Sequence, residues 1–393
     1  MFTCQTDKTK AFDLVHHSIL FKKLYDKNMA RLFLRLIMIM YLNQFAQVRW
    51  NGRLSDTFRL KNGCKQGAVL SGILYNFYVN SLFQRLRERK NGCWLGLHYV
   101  GMVGYADDDW LLAPSLHALQ EMLKTCEEFN REHGLIFSTD VNPNKSKTKC
   151  IAFIKKQRNL RPMYLCGNSL PWVKSGKHVG QFIDDNADGL KHDILVKRAK
   201  FIEKNNTLRQ EFSFAHPYTL LQLNQAYNSD FTGSCVWDLF CREQEMLENS
   251  YNKAVRLMLG IPLNSHRYFI ESLSNKRHVK SELIRRFITF VEQIQKSKKT
   301  TLKYVLESVA QDVRSVTGKN LHHIKLRCGK HTDDKITANE CVVPYREVPT
   351  GETWRINFAR ELIECDHDSL VVDGFKKEEL QDILTWITTS GPS

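Results

Sequence analysis

Paired cysteines and long apolar runs are both missing from this sequence. Its 11 cysteines include no Cys-x-x-Cys pair and are odd in number, which argues against a disulfide framework and for a reducing, intracellular compartment, either nucleus or cytoplasm. The most apolar run, Leu32 to Leu42, is short and contains Arg35, so it predicts a buried helix and no membrane span. Residues 1–6 have neither the basic start nor the apolar core of a signal peptide, so secretion is not expected.

Acidic residues are scarce relative to basic ones. The chain has 42 Asp and Glu against 57 Lys and Arg, a net charge of +15. Residues 1–200 carry 31 basic and 17 acidic residues and residues 251–300 carry 11 and 3, whereas residues 351–393 carry 4 and 9. The positive charge is therefore concentrated in certain regions, as expected of a protein that binds a polyanionic substrate. A generally basic surface that only contacts solvent is the alternative.

Within the basic half, one stretch is strongly acidic. Asp107, Asp108 and Asp109 follow one another between two short runs of apolar and aromatic residues, 100–105 and 110–113. These flanking runs favour extended structure, so we expect the aspartates at the tip of a β-hairpin, with side chains alternating between its faces. Carboxylates packed this closely repel one another, and Mg²⁺ or Mn²⁺ would offset the repulsion. An ordinary acidic turn is the alternative, because Asp is a common turn residue.

Hydrophobic periodicity predicts an α+β chain whose second half is mainly helical. Asn51-Gly52 indicates a type I′ hairpin turn, because these residue types accept the two positive φ angles that the turn requires. Ser115 and Gly134 are the expected N-cap and C-terminal stop of one helix. The expected elements are, in chain order, a strand ending at residue 7, a helix around 19–24, a helix over 31–43, a hairpin over 47–60, a helix over 68–86 with Leu70, Leu74, Phe77, Leu82 and Leu86 inside, the aspartate hairpin, a helix over 115–134, strands over 135–138 and 150–154, a hairpin over 163–173 with its turn at Gly167-Asn168, and helices over 190–212, 217–227, 243–259, 278–297, 354–364 and 376–389.

Five stretches, in this order, resemble motifs of the non-LTR (LINE-type) retrotransposon reverse transcriptases. They are Asp7-Lys8-Thr9-Lys10-Ala11-Phe12-Asp13, similar to D-x-x-K-A-F-D; Asn62 to Ser71, similar to G-V-x-Q-G-x-x-L-S-P; Tyr105-Ala106-Asp107-Asp108, similar to the polymerase box; Lys145-Ser146-Lys147, similar to the lysine motif of the palm; and Gly176 to Gly180, similar to the H-L-G element before the thumb. Several motifs in order are stronger evidence than any one alone. The departures are Gly72 for Pro, Cys64 for Val, Val179 for Leu, and Asp109 for an apolar residue.

The resemblance implies a domain organisation. It predicts a reverse-transcriptase-like palm, an antiparallel sheet with helices on one face, over residues 1–182. A mostly helical thumb and connecting region is expected over 183–300, followed by a C-terminal region of unknown role over 301–393. The family's fingers lie upstream of the first motif, and only six residues precede Asp7, so we expect the fingers to be missing.

The resemblance also implies the catalytic residues. Asp7 and Asp107, with Asp108 beside them, would bind two Mg²⁺ or Mn²⁺ ions, because two-metal nucleotidyl transfer needs carboxylates from separate strands. Lys145 would stabilise or protonate the pyrophosphate leaving group; a solvated lysine in a polar turn is the alternative. Asp109 is interpreted as structural.

Three further residues are expected along the nucleotide. Phe12 would lie under the incoming sugar, where an aromatic ring excludes a 2′-hydroxyl and selects deoxynucleotides; a core phenylalanine next to Asp7 is the alternative. Gln66 and Gly67 would lie along the nucleotide and template, Gly67 because a side chain would block close backbone approach. A plain turn before a helix is the alternative for both.

The function implied is RNA-directed DNA polymerisation. The expected partners are an RNA template, a DNA primer and deoxynucleoside triphosphates, with no membrane and no firm protein partner. Two alternatives stay open: a truncated or domesticated element copy that keeps the metal site but cannot hold template, and a non-catalytic nucleic-acid-binding protein that uses its basic surface.

Overall fold

A computed structural model describes residues 1–65, 67–154, 160–185, 190–228, 231–274, 278–331, 334–338, 353–364 and 377–389 of the chain. The chain divides into two compact units, Met1–Ala187 and Asp188–Ser393. The first is a mixture of sheet and helix and the second is helical. The identities expected for residues 1–182, 183–300 and 301–393 stay predictions.

The first unit alternates short strands with four helices in its described residues. Its elements are β1 (Phe2–Thr6), β2 (Lys8–Thr9), α1 (His17–Asp26), α2 (Arg31–Leu42), β3 (Phe45–Ala46), β4 (Arg49–Trp50), β5 (Arg53–Leu54), β6 (Phe58–Arg59), α3 (Val69–Glu88), β7 (Trp94–Leu95), β8 (His98–Tyr99), β9 (Met102–Tyr105), β10 (Asp108–Ala113), α4 (Leu116–His133), β11 (Ile136–Phe137), β12 (Lys149–Ala152), β13 (Met163–Leu165), β14 (Asn168–Leu170), β15 (Ser175–His178) and β16 (Gln181–Asp184).

A four-stranded antiparallel sheet forms the centre of this unit. Its strand order is β12-β1-β10-β9, so β1 is paired on both sides. The register runs from Phe2 opposite Ala113 to Thr6 opposite Asp109. Because β1 is internal, its position and that of the residue after it are fixed by two neighbouring strands.

One face of the sheet packs against helices. Cys4 and Leu111 are opposite each other in the register and fully buried, and they share a core with Met122 and Phe129 of α4. Burying a side chain such as Leu111 contributes about 2 kcal/mol. Helix α3 packs against α4 and carries the fully buried Tyr75 into the same core.

The other face is covered in part by the hairpin β15-β16. Trp110 and Ile151 are buried on this face. A Cβ on Gly176 of β15 would lie 3.0 Å from Gln5 Oε1 and 3.1 Å from Ile151 Cδ1, closer than side chains normally approach. Glycine at this position therefore lets the hairpin rest directly on the sheet.

Several predictions of local structure are confirmed. Asn51 and Gly52 have φ angles of 46° and 78°, as the type I′ turn requires. Ser115 Oγ accepts a hydrogen bond from the Ala118 N–H at 3.1 Å, and Gly134 ends α4 with a φ of 66°. These signals were read correctly because each depends only on neighbouring residues.

Other predictions were wrong. Helix α2 forms where expected but is not buried: Ile37 and Tyr41 are its only buried residues, while Leu32 is 68% exposed. Leu70, expected inside α3, is exposed. The turn between β13 and β14 lies one residue earlier than predicted, at Cys166-Gly167, because Asn168 already pairs with Leu165. Periodicity finds a helix but cannot tell which part of its apolar surface another element covers.

The second unit consists of helices in its described residues. They are α5 (Leu190–Glu211), α6 (Pro217–Asn228), α7 (Arg242–Leu259), α8 (Arg267–Ser274), α9 (Val279–Lys296), α10 (Thr300–Ala310), α11 (Val316–Arg327), α12 (Thr353–Glu364) and α13 (Lys377–Thr389). Helices α8, α10 and α11 are shorter than most of the others and the sequence did not predict them. No helix in the described ranges is long and apolar enough to cross a membrane.

Two apolar clusters hold this unit together. In one, the fully buried Trp237 packs with residues of α5, α7 and α9, and its indole Nε1 donates to Asp193 Oδ2 at 2.8 Å. The other contains residues of α6, α7, α8, α12 and α13. The predicted α+β fold, an antiparallel sheet with helices on one face followed by a mostly helical region, is confirmed.

Candidate active site

Asp7 lies immediately beyond the end of the central strand β1. That strand is paired with β10 as far as Asp109, so the next position places Asp7 beside Asp108. The Asp7 N–H donates to Thr148 Oγ1 at 3.2 Å, and its carbonyl accepts from the Ser138 N–H at 2.8 Å. These two hydrogen bonds fix the backbone of Asp7 where the chain leaves the sheet.

Asp107 and Asp108 lie at the tip of the β9-β10 hairpin, as predicted. Asp108 is opposite Tyr105, which leaves Ala106 and Asp107 as the two turn residues. Ala106 has a φ of 56°, a left-handed conformation that costs a non-glycine residue about 1 kcal/mol. The hairpin tip is therefore a tightly constrained turn that holds two successive carboxylates beside the end of β1.

The charges of Asp107 and Asp7 act on the carboxyl group of Asp108. Partial burial, together with the negative charges of Asp107 and Asp7, raises the pKa of the Asp108 carboxyl, and the nearby His178 opposes this shift. Negative charge concentrated in this way is unfavourable without a compensating cation. A cation at the two strand ends would offset this charge.

Asp109 points to the opposite face and forms a buried ion pair with Lys8. Both side chains are almost completely inaccessible to solvent. Burial alone would lower the pKa of Lys8, but the charge and hydrogen bond of Asp109 outweigh it and raise the pKa. Gly104, opposite Asp109 in the hairpin, leaves room for this carboxylate, since a Cβ would lie 2.6 Å from Asp109 Oδ1. Asp109 therefore has the structural role that was expected.

The three remaining carboxylates have the chemistry of a magnesium site. Hard oxygen ligands are what Mg²⁺ and Mn²⁺ prefer. Within the described part of the chain, no three His, Cys, Asp or Glu side chains are arranged to hold a metal ion. Asp7, Asp107 and Asp108 are thus electrostatic neighbours and not a closed ligand set, and the two-metal site stays a prediction.

Phe12 lies at the edge of the core of the first unit. Its ring centroid is 4.8 Å from that of Tyr75 in α3, and its side chain is half-buried. Its carbonyl accepts from the Cys64 N–H at 2.8 Å, which ties this segment to the loop before α3. Packing on Tyr75 accounts for one face of the Phe12 ring. Contact of the other face with the sugar of a nucleotide stays a prediction.

Gly67 has a backbone conformation that favours glycine. Its φ is 80°, and an added Cβ would meet no atom within 4 Å among the described residues. The expected position of Gly67 along the nucleotide and template stays a prediction. Gln66 lies outside the described residues.

Lys145 lines a basic cavity of about 470 Å³. Lys147, Lys149 and Lys177 also line it, together with Gln5 of β1, and none of the described lining residues is acidic. Gln5 belongs to the sheet face covered by β15-β16, the face that strand alternation also gives to Asp108 and Trp110. The cavity and the Asp108 position therefore share one side of the sheet.

His178 is a further candidate site residue near Asp108, and the sequence motifs assign it no role. Its ring lies 5.6 Å from Trp110, and burial lowers its pKa while the charges of Asp108 and Asp109 oppose that shift. Its Nδ1 is buried without a hydrogen-bond partner among the described residues. The only signal in the sequence was its position within the Gly176–Gly180 segment.

Carboxylates at adjacent strand ends of a helix-backed antiparallel sheet, on the side that also carries a lysine-lined cavity, are the arrangement expected of a nucleotidyl-transfer site. Comparison with known proteins shows what the first unit resembles. Residues 2–183, a little under half of the chain, match the family described as reverse transcriptase (RNA-dependent DNA polymerase), so this part of the chain resembles that family.

Two curated relatives are retrotransposon proteins. The chain is 28% identical over 155 residues to the retrovirus-related Pol polyprotein from type-1 retrotransposable element R2 of Nasonia vitripennis, covering 39% of this chain and 15% of that protein. It is 24% identical over 263 residues to the probable RNA-directed DNA polymerase from transposon X-element of Drosophila melanogaster, covering 65% and 28%. The resemblance to non-LTR retrotransposon reverse transcriptases is confirmed. The chain spans less than a third of either relative's length.

One solved structure has a low level of similarity to this chain. The telomerase of Candida albicans, in complex with a TWJ fragment of telomeric RNA, is 12% identical, with 78% of this chain and 50% of that chain covered and a TM-score of 0.35. A TM-score of this size carries no argument about the present chain.

Proposed function

We propose that this chain adds deoxynucleotides to a primer 3′-hydroxyl on an RNA template. The observation that carries the proposal is the meeting of Asp7 with Asp107 and Asp108 at two adjacent strand ends, inside the residues that match the reverse transcriptase family. The excess of basic residues in the first half of the chain supports it, because such a surface attracts the phosphates of template and primer.

Asp7, Asp107 and Asp108 would hold two Mg²⁺ ions, which when bound activate the primer hydroxyl and stabilise charge on the phosphates. The hydrogen bonds of the Asp7 backbone and the constrained hairpin turn fix the backbone positions of these aspartates. Lys145 and the other lysines of its cavity would place positive charge near the leaving pyrophosphate.

Primer extension tests the proposal. Purified protein with poly(rA)/oligo(dT), dTTP and Mg²⁺ is expected to lengthen the primer, EDTA to stop extension, and excess Mg²⁺ to restore it. A poly(dA) template controls for the preference for RNA. A protein that binds RNA tightly and salt-dependently but never extends the primer would contradict catalysis.

That last outcome is what the second candidate function predicts. A non-catalytic nucleic-acid-binding protein is favoured by one observation, namely the excess of basic residues in the first half of the chain, which binds phosphates without any chemistry. The two candidates share the basic surface, so binding alone does not distinguish them. Metal-dependent extension does.

Phe12 gives a separate prediction about sugar selection. Phe12→Ala is expected to raise the kcat/KM of a ribonucleotide relative to its deoxynucleotide by about tenfold or more, because the ring would no longer exclude a 2′-hydroxyl. Phe12→Tyr keeps the ring and is the matched control, with a ratio close to wild type. If Phe12→Ala instead lowers stability and leaves the ratio unchanged, Phe12 is only a core residue packed on Tyr75.

A further inference from the structure

The segment between α2 and the loop before α3 forms a two-stranded ribbon, residues 44–60. Its strands are paired from Gln44 and Leu60 at the base, through β3 with β6 and β4 with β5, to the turn at Asn51-Gly52. A further pair of hydrogen bonds joins Val48 and Ser55 between these strand pairs. The ribbon is therefore continuous from base to tip.

Between residues 47 and 59, neither face of this ribbon is covered by the part of the chain that the structure describes. Every residue from 47 to 59 is exposed, including several large apolar side chains. Trp50 has 81% of its surface exposed and Phe45, nearer the base, 62%. A two-stranded ribbon gains little stability from uncovered aromatic residues, so their exposure calls for a binding partner.

Each of these two aromatic residues has an arginine directly opposite. Trp50 is paired with Arg53 in β4-β5, and Phe45 with Arg59 in β3-β6. Side chains of directly opposite residues stand on the same face, about 5 Å apart at Cβ. The ribbon therefore presents a flat ring beside a guanidinium group at two positions along its length.

The charge of the ribbon is positive. Between residues 47 and 59 it carries Arg49, Arg53 and Arg59 against Asp56. Arg59 donates from Nε to the Leu42 carbonyl at 2.8 Å. Neither Arg49 nor Arg53 has an ion-pair or hydrogen-bond partner within the described ranges of the chain, so both charges are available to a ligand.

The geometry points to a binding surface for single-stranded nucleic acid. Unpaired bases stack on exposed aromatic rings, and adjacent guanidinium groups contact the phosphates between them. A duplex offers phosphates but few free base faces, so the rings favour a single strand. A protein partner would match the apolar side chains but leave the free arginine charges without a counterpart unless it were acidic.

The base of the ribbon is tied to the segment of the chain that follows Asp7. The loop that follows it is tied to the segment after Asp7, because the Gly63 N–H donates to the Val15 carbonyl at 2.8 Å. On the other side, Tyr41 of α2 has its ring 5.4 Å from that of His17. If the proposed polymerase function is correct, on which this step rests, the single strand is the template that leads to the carboxylates.

Binding of a labelled single-stranded RNA of about 12 nucleotides, followed by fluorescence anisotropy in EDTA without nucleotides, tests the surface. Trp50→Ala is expected to weaken binding by about tenfold, the effect of one lost stacked base. Arg53→Gln is expected to weaken RNA binding less than Trp50→Ala does. It should also reduce the slope of log Kd against log salt concentration by about one. Trp50→Tyr should restore most of the affinity.

Tyr25→Ala is the matched control, since Tyr25 is an exposed aromatic residue at the end of α1 in the same unit and should leave affinity unchanged. Equal binding by Trp50→Ala and wild type would overturn the proposal. A change in oligomeric state of Trp50→Ala without a change in RNA affinity would also overturn it, in favour of a protein interface. Because neither metal nor nucleotide is present, RNA binding that depends on Trp50 can be observed even if primer extension fails.

Discussion

Asp107→Asn is expected to lower the rate of primer extension by about a thousandfold, which corresponds to about 4 kcal/mol of transition-state stabilisation. The amide keeps the size of the side chain and is well tolerated in a turn, so the hairpin tip should survive. What is lost is one negative charge of the group formed with Asp7 and Asp108. A steady-state extension assay over a range of Mg²⁺ concentrations measures both the rate and the metal requirement.

The same substitution has a second consequence that separates a metal role from a structural one. The charge of Asp107 contributes to the raised pKa of Asp108, so Asp107→Asn should bring that pKa closer to its ordinary value. Removing repulsion should leave the free energy of unfolding unchanged or slightly higher. Asp26→Asn, at the exposed end of α1, is the control with wild-type activity. An active Asp107→Asn protein would exclude the proposed site.

The location of the site could be predicted from the sequence because its residues lie in short local motifs. Asp7 follows a recognisable strand, and the aspartates follow one another in a hairpin. What brings them together is the pairing of β1 with β10 across about a hundred residues. Periodicity contains no information on such pairing, so only the order of the motifs, through the family resemblance, suggested it.

The prediction that failed most clearly concerns α2. Its residues 32–42 are the most apolar run of the chain, yet Ile37 and Tyr41 alone are buried in it. These two are four residues apart and form one narrow stripe facing α1. Composition reports how apolar a helix is, whereas burial depends on which neighbours reach it. The same limit applies to the ribbon that follows, where the hairpin was predicted but its full exposure was not.

The Lys8–Asp109 ion pair could not be predicted either, although the sequence marked Asp109 as unusual. Asp109 departs from the apolar residue that the family has after its polymerase box. Such a departure at a buried position requires a partner, and the structure supplies Lys8, the residue after Asp7. The pair thus joins the two strand ends from the face opposite to the candidate active site.

Lys8→Met is therefore expected to lower the free energy of unfolding by about 3–5 kcal/mol, because it leaves the Asp109 carboxylate buried without a counter-charge. Lys8→Met combined with Asp109→Leu removes both charges and restores the apolar character typical of the family. Replacement of a whole buried pair by apolar residues is often neutral or stabilising, so the double variant should recover most of the lost stability. Urea unfolding of the three proteins measures this.

Primer extension by the double variant then decides what the pair does. Lys8 adjoins Asp7 and Asp109 adjoins Asp108, so the ion pair fixes the register of the two segments that carry the carboxylates. If the pair acts only on stability, the double variant should extend primers like wild type. If it positions the carboxylates, kcat should fall about tenfold or more at wild-type stability with KM unchanged, since misplacement by a fraction of an ångström is enough. A Lys8→Met single variant as stable as wild type would contradict the buried ion pair itself.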